Sequence, residues 1–293
     1  MSFKYLRAED VLLLESYEFA ARVLAEGWLA GRHRSRFRGA SMEFHEYRPY
    51  SPGDDPSLVD WRVFARTDRP YLKTFDQETN LECHILVDSS CSMGFAGGSP
   101  ITKLDFASYF SAALAWLVVR GSDRVSLQLF DERVREFLPP GSTRQHLHRL
   151  LALLENNQPQ GPTSLSAPLR RAALQIHRRG TVIVLSDFYE DPASVFYALN
   201  PFIHHGFRIH LFHILSPMEM ELEGGTLARY EDMETREHLT LHPEAVAQHY
   251  RETLQEHIRR LRTLATQRQI DYAVFRTDSS YWPLFDRIGD SLT

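Results

Sequence analysis

Residues 88 to 92, Asp-Ser-Ser-Cys-Ser, place a carboxylate and three hydroxyls in five positions at the end of the apolar run Cys83-His84-Ile85-Leu86-Val87. Such oxygens serve as metal ligands, as caps for backbone amides or as nucleophiles. Alternate side chains of an extended chain share a face, so Asp88, Ser90 and Ser92 can point together. Two more oxygens are comparably placed: Thr163, in Gly161-Pro162-Thr163-Ser164 ahead of an expected helix, and Asp187, at the end of the apolar run from Thr181. The set is hard oxygen throughout, which selects magnesium, manganese or calcium over zinc. Magnesium is the expected ion because it accepts few protein ligands and keeps waters.

These residues converge only if the right elements carry them. From residue 81 the chain alternates strand and helix patterns, the signature of an α/β fold with a doubly wound, mostly parallel sheet and helices on both faces. Expected strands are 83–88, 124–130, 181–187, 207–215 and the stretch beginning Asp271-Tyr272, with Val134–Leu138 as an edge strand. The strand at 124–130, with Ser126 and Gln128 on one face, is expected to be less deeply buried than that at 83–88. Helices are expected at 106–119, where Thr102 and Asp105 form a capping box ahead of the apolar run, near 143–155 and 166–178, after Asp191-Pro192, and at 243–267. Residues 226–241 read as a polar hairpin turning near Asp232 to Thr235. In doubly wound sheets the ligand crevice lies beyond the carboxyl ends of the strands, where strand order reverses. If the strands ending in Asp88 and Asp187 flank that reversal, the two carboxylates meet. At a separation of about 4 Å they repel by about 1 kcal/mol in water and about 4 kcal/mol at the effective dielectric near a protein surface. A cation relieves that repulsion.

The first 80 residues differ in texture and are read as an N-terminal extension, with 81–293 as the main domain. Residues 9–30 look helical, Gly31–Ala40 brings four arginines, Glu43–Trp61 is rich in turn formers and aromatics, and Tyr71–Glu78 alternates like a strand. Thirty-three basic against 38 acidic side chains give a formal charge of -5, which argues against broad binding to nucleic acid or anionic membrane. The most apolar helix, 106–119, is too short for a membrane span. No signal-peptide pattern opens the chain, and Cys83 and Cys91 form no disulfide or metal framework, so a cytoplasmic location is expected.

The pattern Asp88-x-Ser90-x-Ser92, the later Thr163 and Asp187 after an apolar strand resemble the metal-ion-dependent adhesion site of von Willebrand factor A domains. That resemblance implies that Ser90, Ser92 and Thr163 ligate a divalent cation directly, that Asp88 and Asp187 act mainly through water, and that the open position takes an acidic side chain of a partner. The preceding segment, with Tyr50, Gly53, Asp54, Asp55, Asp60, Trp61, Ala65 and Arg66, resembles the signature of domain-of-unknown-function family 58, which joins it to a von Willebrand A-like domain. The likeness runs over about residues 30 to 290 and includes Lys103–Ala107 and residues 230–246; Pro162 and Ser164 depart from the residues usual around the threonine. The family resemblance further implies a MoxR-type AAA+ ATPase as partner.

The expected activity is therefore non-enzymatic, with no catalytic residue. Each residue set also has a plainer explanation: Asp88 and the serines as a strand-end turn, Asp187 as a helix cap, the arginine run as a solvated face, Ser51–Pro56 as a turn, and the histidines as surface or core residues. The alternative function is a metal-assisted hydrolase or phosphotransferase using the Asp88/Ser92 loop. Against it, no second aspartate stands at Ser90, no glycine stands two residues before Ser92, and there is no Walker A loop.

Overall fold

The computed structural model describes residues 43–49, 61–76, 82–222 and 227–289. The helix expected at 9–30, the arginine run, and Tyr50, Gly53, Asp54, Asp55 and Asp60 lie outside them. The described residues fall into two compact units. In the first, β1 (Glu43–Pro49) pairs antiparallel with β2 (Tyr71–Asp76), and α1 (Trp61–Thr67) lies between them in the chain. No strand is expected from the sequence over residues 43–49, which read only as part of a stretch rich in turn formers and aromatics. Phe44, Tyr47 and their neighbours instead form a strand whose partner, 71–76, is distant in sequence.

In the second unit the elements run β3 (Glu82–Asp88), a 3-10 turn (Cys91–Gly94), α2 (Lys103–Arg120), β4 (Arg124–Phe130), β5 (Val134–Gly141), α3 (Arg144–Glu155) and α4 (Ser166–Gln175). They continue with β6 (Gly180–Ser186), α5 (Pro192–His204), β7 (Arg208–Leu215), the short α6 (Pro217–Met220), the hairpin β8 (Ala228–Glu231) and β9 (His238–Leu241), α7 (Pro243–Gln267), β10 (Asp271–Arg276) and α8 (Trp282–Gly289). The main sheet has the order β10-β7-β6-β3-β4-β5, parallel except for the antiparallel edge strand β5. This is the α/β class expected from the sequence.

Strand periodicity divides the core into two layers. Ile85, Val87, Ile183, Leu185, Phe212 and Ile214 pack with α2, α3 and α8, while Leu86, Val182, Val184, Ile209 and Leu211 pack with α4, α5 and α7. Because both faces are covered, parallel strands read as continuous apolar runs. One expectation is corrected here: β4 is as deeply buried as β3 apart from Arg124. Ser126 accepts burial by meeting His84 Nδ1 at 2.7 Å on the adjacent strand, and Gln128 donates to the Pro168 carbonyl at 3.4 Å. Among the described residues no helix is long and apolar enough to cross a membrane.

Candidate metal centre

Strand order reverses between β3 and β6. The chain leaves β3 for β4 and β5 on one side, then returns to β6 on the other, so the carboxyl ends of β3 and β6 open a crevice. Asp88 closes β3, and Asp187 follows the last residue of β6. Both are fully buried.

Three local devices shape the crevice. Asp88 Oδ1 accepts the Ser90 backbone N–H at 2.9 Å, which turns the loop so that the Ser90 and Ser92 hydroxyls stand 3.1 Å apart. The Ser186 hydroxyl donates to Asp88 Oδ2 at 2.6 Å and accepts the Phe188 N–H at 3.0 Å, tying the two strand ends together. Phe188 has φ +51°, a left-handed conformation that costs a residue with a Cβ roughly 1–2 kcal/mol and reverses the chain directly after Asp187. The loop carrying Thr163 is pinned to the Asp88 loop by two backbone bonds, Cys91 N–H to the Gly161 carbonyl and Gln160 N–H to the Ser89 carbonyl, each 2.9 Å. Gly161 is required there: its φ is +76°. The result is a contact of 3.4 Å between the Ser92 and Thr163 hydroxyls.

Electrostatics sharpen the geometry. Burial first, and the facing Asp187 second, push the Asp88 carboxyl up to about 7. Asp187 takes a charge-assisted bond from Lys103 Nζ to its Oδ2 at 2.8 Å, while its Oδ1 is buried and has no hydrogen-bond partner among the described residues. Lys103 is wholly buried and also donates to Glu219 Oε1 at 2.5 Å. Burial pulls its pKa down, but Asp187 and Glu219 more than offset this and hold it above the ordinary lysine value. The capping box expected at Thr102 and Asp105 forms, and it sets Lys103 at the first position of α2, above the crevice.

The five residues singled out from the sequence therefore gather at one sheet end: Ser90, Ser92 and Thr163 through their hydroxyls, and Asp88 and Asp187 through opposed carboxylates. They fit a hard divalent cation, since oxygen donors gather at one sheet end with a buried carboxylate atom that has no hydrogen-bond partner among the described residues and a second carboxyl held toward its neutral form. Sequence reasoning missed Lys103, Ser186, Glu219 and Glu234. Glu234, from the turn between β8 and β9, accepts the Thr163 hydroxyl at 2.5 Å. Lys103 lies in a stretch singled out by resemblance and Glu234 in a recognised polar hairpin, but neither has a spacing that ties it to Asp88. His210 and His213 are core residues, bonded to Asp271 and Tyr272.

Comparison with known proteins agrees with this architecture. The chain is 31% identical over 179 residues to the uncharacterized protein Rv1480 of Mycobacterium tuberculosis, an alignment covering 60% of this chain and 56% of that one. The same values hold for the uncharacterized protein Mb1516 of Mycobacterium bovis. The chain thus spans about half the length of these curated relatives. Among solved structures, an aerotolerance-related membrane protein from Bacteroides fragilis superposes with a TM-score of 0.51 at 15% identity, over 72% of this chain and 98% of that one, a likeness of fold alone. A von Willebrand factor type A protein from Catenulispora acidiphila is also similar, with a TM-score of 0.42 at 15% identity over 72% of this chain and 42% of that one. The family described as "Protein of unknown function DUF58" matches residues 46–263, most of the chain. With that match, the chain belongs to the DUF58 family, and its domain is an α/β fold with a mostly parallel sheet.

Proposed function

We propose that this protein is a non-enzymatic, metal-dependent protein-binding module in which Asp88, Ser90, Ser92, Thr163 and Asp187 hold a divalent cation, magnesium first, that captures an acidic side chain of a partner. The observation that carries the reading is the buried Asp187 Oδ1, without a hydrogen-bond partner among the described residues, in a carboxylate close enough to Asp88 to raise its pKa, at the sheet end where three hydroxyls meet. When bound, the cation supplies positive charge for a carboxylate; the protein's own part is to hold oxygen donors in place and exclude water from the two aspartates. A MoxR-type AAA+ ATPase is the proposed partner, on the strength of the family resemblance. The donor set favours binding over hydrolysis: the described bonds of the Ser92 hydroxyl are to other hydroxyls, not to a base.

The test is thermal unfolding of the full chain in chelator and in magnesium, together with capture of an AAA+ ATPase from native extract. Magnesium at a hundred times its dissociation constant adds about 2.7 kcal/mol to wild type and nothing to Asp88→Ala. Capture follows the same dependence. Unfolding temperatures and capture that ignore magnesium in both proteins would sink the proposal.

A second reading is favoured by Lys103. Its ammonium already neutralises Asp187, so the site could be held by a resident side-chain cation with no metal. That reading expects the magnesium-insensitive outcome.

A further inference from the structure

The hairpin β8–β9 pairs only with itself in the described sheets, and its residues from Glu231 to Thr240 are exposed except for two at the tip, Met233 and Glu234. A lone two-stranded hairpin is marginal in water, so what the tip touches decides where it sits. Met233 lies against the 3-10 turn after the Asp88 loop, its methyl end 3.7 Å from where a Cβ on Gly94 would be. Glu234 enters the crevice and accepts from Thr163.

The tip is built to present that carboxylate. Asp232 Oδ1 accepts the Glu234 and Thr235 backbone N–H groups, each at 2.8 Å, and these bonds lower the Asp232 pKa. Arg236 N–H closes the turn on the Asp232 carbonyl at 2.9 Å, with Arg236 at φ +63°. The hydrogen-bond directions then follow. A hydroxyl has one proton to donate. Thr163 donates to Glu234, so Ser92 donates to Thr163, and the chain of hydroxyls runs outward from the loop and ends on Glu234. The carboxylates of Asp187, Glu219 and Glu234 thus line the crevice beside the Asp88 carboxyl, which burial holds toward its neutral form, and the Lys103 ammonium is bonded to the first two. Among the described ion pairs Glu234 has no countercharge of its own, and a cation in the crevice would supply one.

We infer that Glu234 is a ligand supplied in cis: its carboxylate takes the place on the cation that a partner's acidic side chain would take, and the hairpin is a self-occupying plug that a partner must displace. This rests on the cation reading above and adds to it a residue and an autoinhibited state. The hairpin shares no strand pairing with the main sheet, so displacing its tip breaks fewer backbone bonds than unfolding any part of that sheet.

The experiment is manganese titration of the full chain, followed by water-proton relaxation, with wild type, Glu234→Ala, Glu234→Gln and Asp88→Ala, each checked for a native circular-dichroism spectrum. Loss of a ligating carboxylate weakens manganese by roughly tenfold or more in Glu234→Ala. It also raises relaxivity per bound ion, as water enters the vacated place, and lets added acetate lower that relaxivity, which it does not do in wild type. Glu234→Gln lies between. Manganese binding that is lost in Asp88→Ala but unchanged in affinity and relaxivity in both Glu234 variants overturns the inference and leaves the cation reading standing. Weaker binding without the rise in relaxivity also overturns it, assigning Glu234 an indirect role through Thr163. No manganese binding by wild type overturns both.

Discussion

Lys103 is placed against every ordinary preference: at the first turn of a helix, where the macrodipole repels a cation, and wholly buried. Two carboxylates, Asp187 and Glu219, and the Tyr189 ring 5.4 Å away hold it there. Removing one member of such a pair leaves buried charge uncompensated, at a cost of about 3–5 kcal/mol. Lys103→Met in chelator is expected to lose that much stability by urea unfolding, and magnesium is expected to restore part of it if a metal can serve Asp187 instead. His84 gives a second readout. Burial foremost, with Arg124 adding to it, lowers its pKa from 6.5 to about 4, against a backbone bond that pulls the other way. The imidazole is therefore neutral when folded. The unfolded chain binds the extra proton as pH falls through 6.5, so stability present above that pH is lost progressively down to about 4, on the order of 3 kcal/mol in all. His84→Gln removes that slope from the pH profile of the unfolding free energy. The oxygens of the Asp88 loop, Thr163 and Asp187 were legible because each follows an apolar run or opens a helix, and because their types share one chemistry. Lys103 and Glu234 were not: what makes them part of the site is a fold that brings positions 103, 163, 187 and 234 together, and no local pattern carries that.

The elements were easier to read than their depths. The apolar runs of β3, β6 and β7 and the proline-started α5 and α7 sit close to their expected bounds, since a strand covered on both faces and a capped helix leave strong one-dimensional traces. Burial of β4 was underestimated because Ser126 and Gln128 look like a solvent face, whereas a central strand buries them with partners from β3 and α4. Strand β1 was overlooked because its partner comes after a long excursion. One glycine is set by its neighbour rather than by a turn. A Cβ on Gly180 would stand 1.9 Å from the Glu82 carbonyl oxygen, where β6 opens beside β3. Neither backbone can yield without breaking the register that aligns the two aspartates. Gly180→Ala is expected to destabilise by more than about 4 kcal/mol in denaturant unfolding, the size of the severe mechanisms rather than of an ordinary surface change.

At the scale of the molecule, a net charge of -5 disfavours broad electrostatic attraction to polyanions. The sheet itself adds a constraint on assembly. Its antiparallel edge strand β5 carries Pro139 and Pro140, two consecutive residues without an N–H to offer. A foreign strand laid along that edge would find its ladder interrupted, so end-to-end stacking of sheets, the route to fibrils, is discouraged on that side. Copies of this protein can therefore be crowded together at high local concentration without that edge seeding an insoluble polymer.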